Sequence, residues 1–330
     1  MTTYNRLDLD ALCARLCEQK NTLIIYHVRS DADAVGSAFA LREILTSLGI
    51  AAFCACADEI PDRLRFMSST QGSVVLEEGM ELDHERVISV DSASPSQLGS
   101  LFDRLRRDID LMIDHHASGT PYADNYIDPT ASATGEIIYA IAKRLVETGR
   151  LVQIPKRALN CIFAAICSDT GSFRYSNVTP ATFRIAAELV EAGVSVDEVT
   201  RNLYESKSVK QVRAEGEAAR RLVLYEGGRI ASVTFPYTSK FSLSLSDEHL
   251  ETIIDIPRSI SGVEIAFAIK QPEQNGVFRV SMRSSCDFDV ARVCAKFGGG
   301  GHVRAAGCTV EARHIDDAEK MILSAILEDM

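Results

Sequence analysis

Apolar positions in the first part of the chain follow two periods. Short apolar runs bounded by polar residues predict strands at Thr22–Tyr26, Ala51–Cys56, Val74–Leu76, Val87–Val90 and Ile109–Ile113, the signature of strands buried on both faces. Helical spacing predicts helices over Ala34–Leu48, Ser132–Glu147, Lys156–Ile166 and Thr182–Ala192, with Asp31 or Asp33 near the first N-terminus and Gly49 as its stop signal. Strands alternating with helices imply an α/β fold, a mostly parallel Rossmann-like sheet with flanking helices.

The pattern then changes. A polar, helix-prone stretch at 205–221 shows no clear apolar stripe and is expected to be a helical connector. Beyond it, Leu222–Tyr225 and Ile230–Phe235 flank Glu226-Gly227-Gly228-Arg229, a hairpin signal. Further apolar runs at Val263–Ile269 and Val277–Met282, with helices at Val290–Phe297 and Ile315–Leu327, predict a smaller α/β domain with a mixed sheet. The expected organisation is a first domain at 1–204, the connector at 205–221 and a second domain at 222–330.

Length and composition narrow the class. With 330 residues, 46% hydrophobic and 25% charged, the chain can bury ordinary cores and is not intrinsically disordered. Apolar stretches such as Cys161–Cys167 fall far short of the roughly 18 residues a bilayer span needs. The start, Met1–Asp10, lacks an apolar signal core. Nine cysteines, an odd number without zinc-type clusters, suit a reducing cytoplasm. The expectation is a cytoplasmic protein with no membrane partner. Net charge is -11, and residues 1–200 hold 18 Lys and Arg against 28 Asp and Glu, or -10, leaving 17 against 18 for the rest. So acidic a first part repels phosphates unless cations sit among its carboxylates, which argues against duplex DNA as a partner.

Candidate chemistry lies where strands end. The runs Leu23–Tyr26, Val87–Val90 and Leu111–Ile113 lead directly into His27, Asp91 and Asp114-His115-His116. Ligands of open parallel sheets bind outside the carboxyl ends of the strands, so these side chains converge on one edge. Asp31 and Asp33 follow the first strand in a turn entering a helix. Asp169 follows the helix at Lys156–Ile166, beside the negative end of its dipole, a placement that a cation would compensate. Any one of these groups alone reads better as a cap or a turn former. Together they put four carboxylates and two or three imidazoles at one edge, and uncompensated charge of that density is costly. An oxygen-rich set with imidazole suits two octahedral divalent ions, manganese being favoured and magnesium or cobalt able to substitute. Such a pair generates a nucleophile and neutralises a phosphoryl group, which predicts phosphoester hydrolysis.

A second candidate is the glycine run Gly298–Gly301, with Gly299, Gly300 and Gly301 preceding His302 and Arg304. Its backbone can approach phosphate closely, and the two side chains add donors. Arg283, at the end of a predicted strand, is a candidate phosphate or base contact. Cys54 with Cys56 and Cys13 with Cys17 read as core thiols.

These residues resemble the DHH phosphoesterase family. The carrying motifs are His27-x3-Asp31-x-Asp33-x2-Gly36-Ser37, Asp91, Asp114-His115-His116 and Asp169. Gly298-Gly299-Gly300-Gly301-His302-Val303-Arg304-Ala305-Ala306-Gly307 is similar to the signature of the DHH-associated second domain. Within the family, Asp169-Thr170-Gly171-Ser172-Phe173-Arg174 and the length resemble the nanoRNases, which also dephosphorylate 3'-phosphoadenosine 5'-phosphate. The resemblance implies His27, Asp31 and Asp91 on one ion, and Asp33, Asp91, His115 and Asp169 on the other, with Asp91 as the bridge. It implies His116 near the scissile phosphate as a catalytic group, and Arg174, Arg283, the glycine run, His302 and Arg304 as substrate contacts. Val28 departs from the Asn of many relatives, which touches a supporting hydrogen bond rather than the ligands.

The expected function is a manganese-dependent hydrolase of very short RNA and of 3'-phosphoadenosine 5'-phosphate, with small nucleotides as partners and a homodimer as a compatible assembly. The alternatives are a phosphodiesterase of cyclic or linear di-adenylate and, outside enzymes, a nucleotide-sensing regulator.

Overall fold

A computed structural model describes residues 4–68, 73–76, 80, 83–117 and 119–330. The chain divides into two compact units, Met1–Ser206 and Lys207–Met330. The first unit holds β1 (Thr22–Ile25), β2 (Ala52–Cys56), β3 (Ser73–Val75), β4 (Arg86–Val90), β5 (Ile109–Asp114) and β6 (Asp124–Ile127). They form one parallel sheet in the order β3-β2-β1-β4-β5-β6. The order reverses between β1 and β4, so the connections leaving these two neighbours diverge and open a crevice at their carboxyl ends.

The helices of this unit are α1 (Leu9–Leu16), α2 (Ala32–Ser47), α3 (Ser100–Leu105), α4 (Thr134–Glu147), α5 (Lys156–Asp169), α6 (Pro180–Glu191) and α7 (Val196–Thr200). One sheet face packs Ile24, Tyr26, Ile88 and Ile113 against Phe39, Ile138 and Phe163 from α2, α4 and α5. The other face packs Leu23, Ile25, Val87 and Met112 against Leu98, Leu101 and Leu105. Three helices meet through small residues. A Cβ on Gly36 would stand 2.6 Å from Cys161 O, and one on Gly135 would stand 2.6 Å from Ala165 Cβ.

In the second unit, β7 (Leu222–Tyr225), β8 (Ile230–Phe235), β9 (Ile265–Lys270), β10 (Val277–Ser284), β11 (Gly300–His302) and β12 (Ala305–Glu311) form a mixed sheet in the order β11-β12-β10-β9-β8-β7. Only β8 and β9 pair in parallel. Its helices are α8 (Val209–Arg220), α9 (Tyr237–Ser242), α10 (Asp255–Arg258), α11 (Val290–Ala295) and α12 (Ile315–Asp329). Phe278, Val280 and Met282 pack with Val293, Ile322 and Ile326 on one face. Ala231, Val233, Phe235, Ala266 and Ala268 pack with Ala214, Ala218, Leu250 and Ile253 on the other.

Two expectations change. The stretch at 205–221 is not a free connector, because α8 seats Ala214 and Ala218 in the core of the second unit. Alanine at i and i+4 buries a narrow face that carries little hydrophobic signal. β6, β11 and β12 were not expected as strands, since their residues are polar or small and their pairing comes from neighbours.

The helix contacts fix a stability prediction. Alanine ordinarily stabilises a helix interior relative to glycine. Gly36→Ala should instead cost about 1–3 kcal/mol, because its Cβ would drive into the α5 backbone. Gly216→Ala in α8 meets nothing within 4 Å and should gain about 0.5–1 kcal/mol. Opposite shifts of the urea midpoint check the pair.

Candidate metal centre

Each side chain at the crevice is set by a local rule. His27 leaves β1 one residue beyond the buried Tyr26. Asp31 is the N-cap of α2, and its Oδ1 accepts from the Asp33 and Ala34 amides at 3.0 Å each, the usual answer to unpaired amides at a helix start. Asp33 lies in the first turn of α2 and is fully buried. Its Oδ1 accepts from Ser37 Oγ at 2.9 Å and from the Gly135 amide at 3.0 Å, and its Oδ2 accepts from the Thr134 amide at 2.7 Å. The N-terminus of α4 therefore points its unpaired amides at this carboxylate.

Asp91 follows β4 in the left-handed region, with φ 51°. Its amide still donates to Ile113 O at 3.0 Å, and its Oδ1 accepts from Thr134 Oγ1 at 2.9 Å. Asp114 ends β5 and orients the two histidines after it. Its Oδ1 accepts from the His115 amide at 2.9 Å and from His116 Nδ1 at 2.7 Å. His115 Nδ1 is 3.2 Å from Ala131 O, which accepts its proton and turns Nε2 toward the carboxylates. Asp169 is the last residue of α5 rather than a residue beyond it, and Asn177 Nδ2 donates to its backbone carbonyl at 3.0 Å.

These groups meet in two overlapping sets. His27 Nε2 stands 3.7 Å from both Asp31 Oδ1 and Asp91 Oδ2. His115 Nε2 stands 3.3 Å from Asp169 Oδ2 and 3.8 Å from both Asp33 Oδ2 and Asp91 Oδ1. Asp91 touches both sets through different oxygens. Two ligands at about 2.1 Å from one ion lie about 3.0 Å apart at right angles and about 3.4 Å apart at the tetrahedral angle. Most of the observed separations exceed hydrogen-bond length and come near that spacing. The donor set, with carboxylate oxygens and imidazole nitrogens converging from separate elements, fits divalent ions.

The field of the site is consistent with this. Burial, reinforced by Asp31, pushes the Asp91 carboxyl up to about 6. Burial, with Asp91 and Asp169 adding repulsion, raises Asp33 well above the ordinary carboxylate range. Burial alone would lower the imidazoles, yet Asp31 and Asp91 bring His27 up to about 10, and Asp169, Asp33 and Asp91 bring His115 up to about 11. A cluster that so strongly retains protons is one that retains cations.

Thr134 and Gly135 form the support that sequence reasoning did not assign. Ser132-Ala133-Thr134-Gly135 ahead of a helix was the available signal, but its target, Asp33, lies 101 residues away from Thr134. Arg174 ties down its own turn, its Nε donating to Gly171 O at 2.6 Å. In the second unit, Gly300–His302 is an edge strand paired with Ala305–Gly307. Gly299 lets this turn close on β12, where a Cβ would stand 2.2 Å from Gly307 O. His302 is exposed, as is Arg304, which pairs with Asp287 at 3.1 Å. Arg283 lies on β10, opposite Ala266 and Ala305.

Comparison with known proteins places this arrangement. Residues 21–166 match the DHH family N-terminal domain, and residues 234–328 match the DHHA1 domain. The chain carries a DHH domain in its first unit and a DHHA1 domain in its second. It is a metal-dependent hydrolase. It is 28% identical over 309 residues, 93% of this chain and 89% of its counterpart, to the bifunctional oligoribonuclease and PAP phosphatase NrnA of Thermus thermophilus. It is 26% identical to the cyclic-di-AMP phosphodiesterase GdpP of Geobacillus thermodenitrificans, covering 96% of this chain and 48% of that one. Among solved structures, an exopolyphosphatase-related protein from Bacteroides fragilis superposes with a TM-score of 0.87 at 22% identity, covering 97% of this chain and 95% of that one. That likeness supports the fold. Among the described residues no helix is long and apolar enough to cross a membrane.

The buried carboxylates give a pH prediction with a definite sign. An acid whose pKa rises on folding lowers stability as pH climbs from its unfolded value of 3.8 through about 6. His27 and His115, whose pKa values are raised as well, act with the same sign at higher pH: their contribution is complete below 6.5 and is lost as pH rises from there through about 10 and 11. In chelator at pH 7.5, Asp91→Asn should therefore melt above the wild type, by a margin that shrinks at pH 5. Manganese should raise the Tm of the wild type and much less that of the variant. Melts at both pH values, with and without the ion, check this. Asparagine tolerates the left-handed backbone, so the variant isolates the charge.

Proposed function

We propose that the protein hydrolyses very short oligoribonucleotides to mononucleotides and 3'-phosphoadenosine 5'-phosphate to AMP, in the cytoplasm, with two manganese ions that magnesium or cobalt can replace. The observation that carries the chemistry is the meeting of two ligand sets at Asp91. His27, Asp31 and Asp91 would hold one ion, and Asp33, Asp91, His115 and Asp169 the other. When bound, such a pair supplies nucleophile activation and charge neutralisation at phosphorus. The remaining work falls to the chain. Asp114 accepts a hydrogen bond from His116 Nδ1 at 2.7 Å, which leaves Nε2 for the substrate. Burial opposes charge on His116, but Asp114 and Asp91 outweigh it and raise its pKa. A protonated imidazole in that position serves as general acid to the leaving oxygen.

The substrate reading draws on the relatives and on the second unit. The NrnA protein of Thermus thermophilus named above is a bifunctional oligoribonuclease and PAP phosphatase. Arg283, His302, Arg304 and the exposed backbone at Gly300 and Gly301 supply donors for phosphate, and Arg174 adds one in the first unit; the Gly299 amide, expected among them, is held by Cys294 O at 2.9 Å. Nine thiols free of disulfides agree with a reducing compartment. A second reading, hydrolysis of cyclic di-adenylate, is favoured by the match to GdpP along nearly the whole chain.

A substrate profile decides between them. Ribonucleotides of two to five residues and 3'-phosphoadenosine 5'-phosphate should be turned over with manganese, while duplex DNA and pyrophosphate should be poor. The highest kcat/KM on cyclic di-adenylate would select the second reading, and the highest on pyrophosphate would reject both. Arg283→Ala or His302→Ala should lower kcat/KM on dinucleotides roughly ten- to hundredfold, the value of a charge-assisted phosphate contact. Metal content, read by mass spectrometry, should hold. Loss of bound manganese would move these residues into the metal site or the fold.

A further inference from the structure

Three sulfur atoms meet in the core of the second unit. Met282 on β10, Cys294 in the last turn of α11 and Cys308 on β12 belong to the layer where the sheet packs against α11 and α12. Met282 and Cys294 are fully shielded from water, and Cys308 is 8% exposed. Cys294 Sγ lies 3.5 Å from Met282 Sδ. The Cys294 and Cys308 thiols also hydrogen-bond to each other, which raises the pKa of Cys294 and lowers that of Cys308. Burial instead pushes the thiols of Cys13, Cys54, Cys56, Cys161 and Cys167 upward. The thiolate is the reactive form of cysteine, so Cys308 is primed for reaction and Cys294 stands beside it.

The chain between the two cysteines makes the pair more than core packing. After Cys294 it leaves α11, turns through the glycine run and returns as β11 and β12. It therefore carries Gly298, Gly299, Gly300 and Gly301 together with His302 and Arg304. The turn is wedged between the two cysteines. The Gly299 amide donates to Cys294 O at 2.9 Å, and a Cβ on Gly299 would stand 2.5 Å from Cys308 Cβ. At the start of α11 the Val290 amide donates to Val303 O at 2.9 Å, which ties the returning chain to the helix a second time. Packed interiors yield little to compression, so a change in the spacing of α11 and β12 is felt by the turn.

We propose that Cys294 and Cys308 are a modification site, joined by a peroxide in a reversible disulfide that grips the glycine-rich turn between them. The Cys308 thiolate attacks one peroxide oxygen and breaks the O–O bond, becoming a sulfenic acid and releasing hydroxide, which takes up the proton the thiol had lost. The Cys294 sulfur then attacks the Cys308 sulfur, and its proton leaves with the sulfenic hydroxyl as water. Two thiols thus give up two electrons, and one peroxide becomes two waters. A dithiol reverses the step by exchange. The new bond is shorter than any contact between separate thiols, so α11 and β12 draw together around Gly299 and the edge at Gly300–His302 is displaced. In a reducing compartment such a bond is transient, a sensor rather than a staple. Its effect on substrate rests on the function proposed above, whereas the disulfide itself does not.

The test treats the full chain with hydrogen peroxide, removes the excess with catalase and maps the unreduced peptides by mass spectrometry. A peptide pair linked through Cys294 and Cys308 and lacking two hydrogens is expected, and dithiothreitol should return it to free thiols. No internal link, or a link between other cysteines instead, would overturn the site. The grip on the turn is read by amide hydrogen exchange, which should slow about threefold over 295–307 in the oxidised protein; an unchanged rate would overturn the grip. In turnover, oxidation of the wild type should lower kcat/KM on a dinucleotide about three- to tenfold at constant manganese content, with recovery in dithiothreitol. Cys294→Ala, treated alike, should keep its activity, and an equal loss there would place the damage elsewhere and overturn the effect on substrate. If the reduced protein hydrolysed no RNA, the functional reading would fall, while the peptide map and the exchange rates would still decide the disulfide.

Discussion

Buried negative charge is the constraint that organises the first unit. Asp33 and Asp91 are almost completely shielded from water, and burying even one carboxylate costs several kcal/mol after relaxation. The start of α4 offsets part of that cost, the Thr134 and Gly135 amides donating to Asp33 and the Thr134 hydroxyl to Asp91. Three imidazoles offset more, and the donor geometry leaves the remainder to cations. The tight packing of α2, α4 and α5 follows from the same need. Gly135 must bring its amide to Asp33, and a side chain there would meet Ala165 before it arrived.

The two units divide the electrostatic labour. One concentrates carboxylates where β1 and β4 diverge; the other sets cations and a glycine-rich edge on an exposed sheet face. Like charges crowd in the first, and in the second Lys270 faces Arg279, with Asp247 pairing with Arg279 at 2.9 Å. Such local penalties are tolerated where a ligand of opposite sign relieves them, which is why sites and instabilities coincide.

What the sequence disclosed depended on how local each signal was. His27, Asp91 and Asp114 were legible because an apolar run ends in a polar, metal-capable side chain and parallel topology sends all such ends to one edge. The helices α2, α4 and α5 were legible from their spacing. β6 was hidden because Asp124-Asn125-Tyr126-Ile127 forms a polar sheet edge, held there by β5 and by Asn5 and Leu7 near the start of the chain. α8 was misjudged because its buried face is alanine. Thr134, which serves Asp33 by its amide and Asp91 by its hydroxyl, has a local signature only of a helix start, which says nothing of partners so far away in the chain.

Asp91 shows how backbone and charge are specified together. The residue ends β4 while its amide still pairs with Ile113 O, and it then turns into the left-handed region instead of continuing the strand. In an extended strand its side chain would project to one sheet face, into a hydrophobic layer. The left-handed turn lets it leave the strand end instead and share its two oxygens between the His27 set and the His115 set. That backbone costs an ordinary residue roughly 1–2 kcal/mol, and glycine, asparagine and aspartate bear it most readily. Of those three, aspartate alone brings a negative charge and two ligand oxygens. The conformation at the switch point and the chemistry of the crevice thus select the same amino acid by independent physical routes.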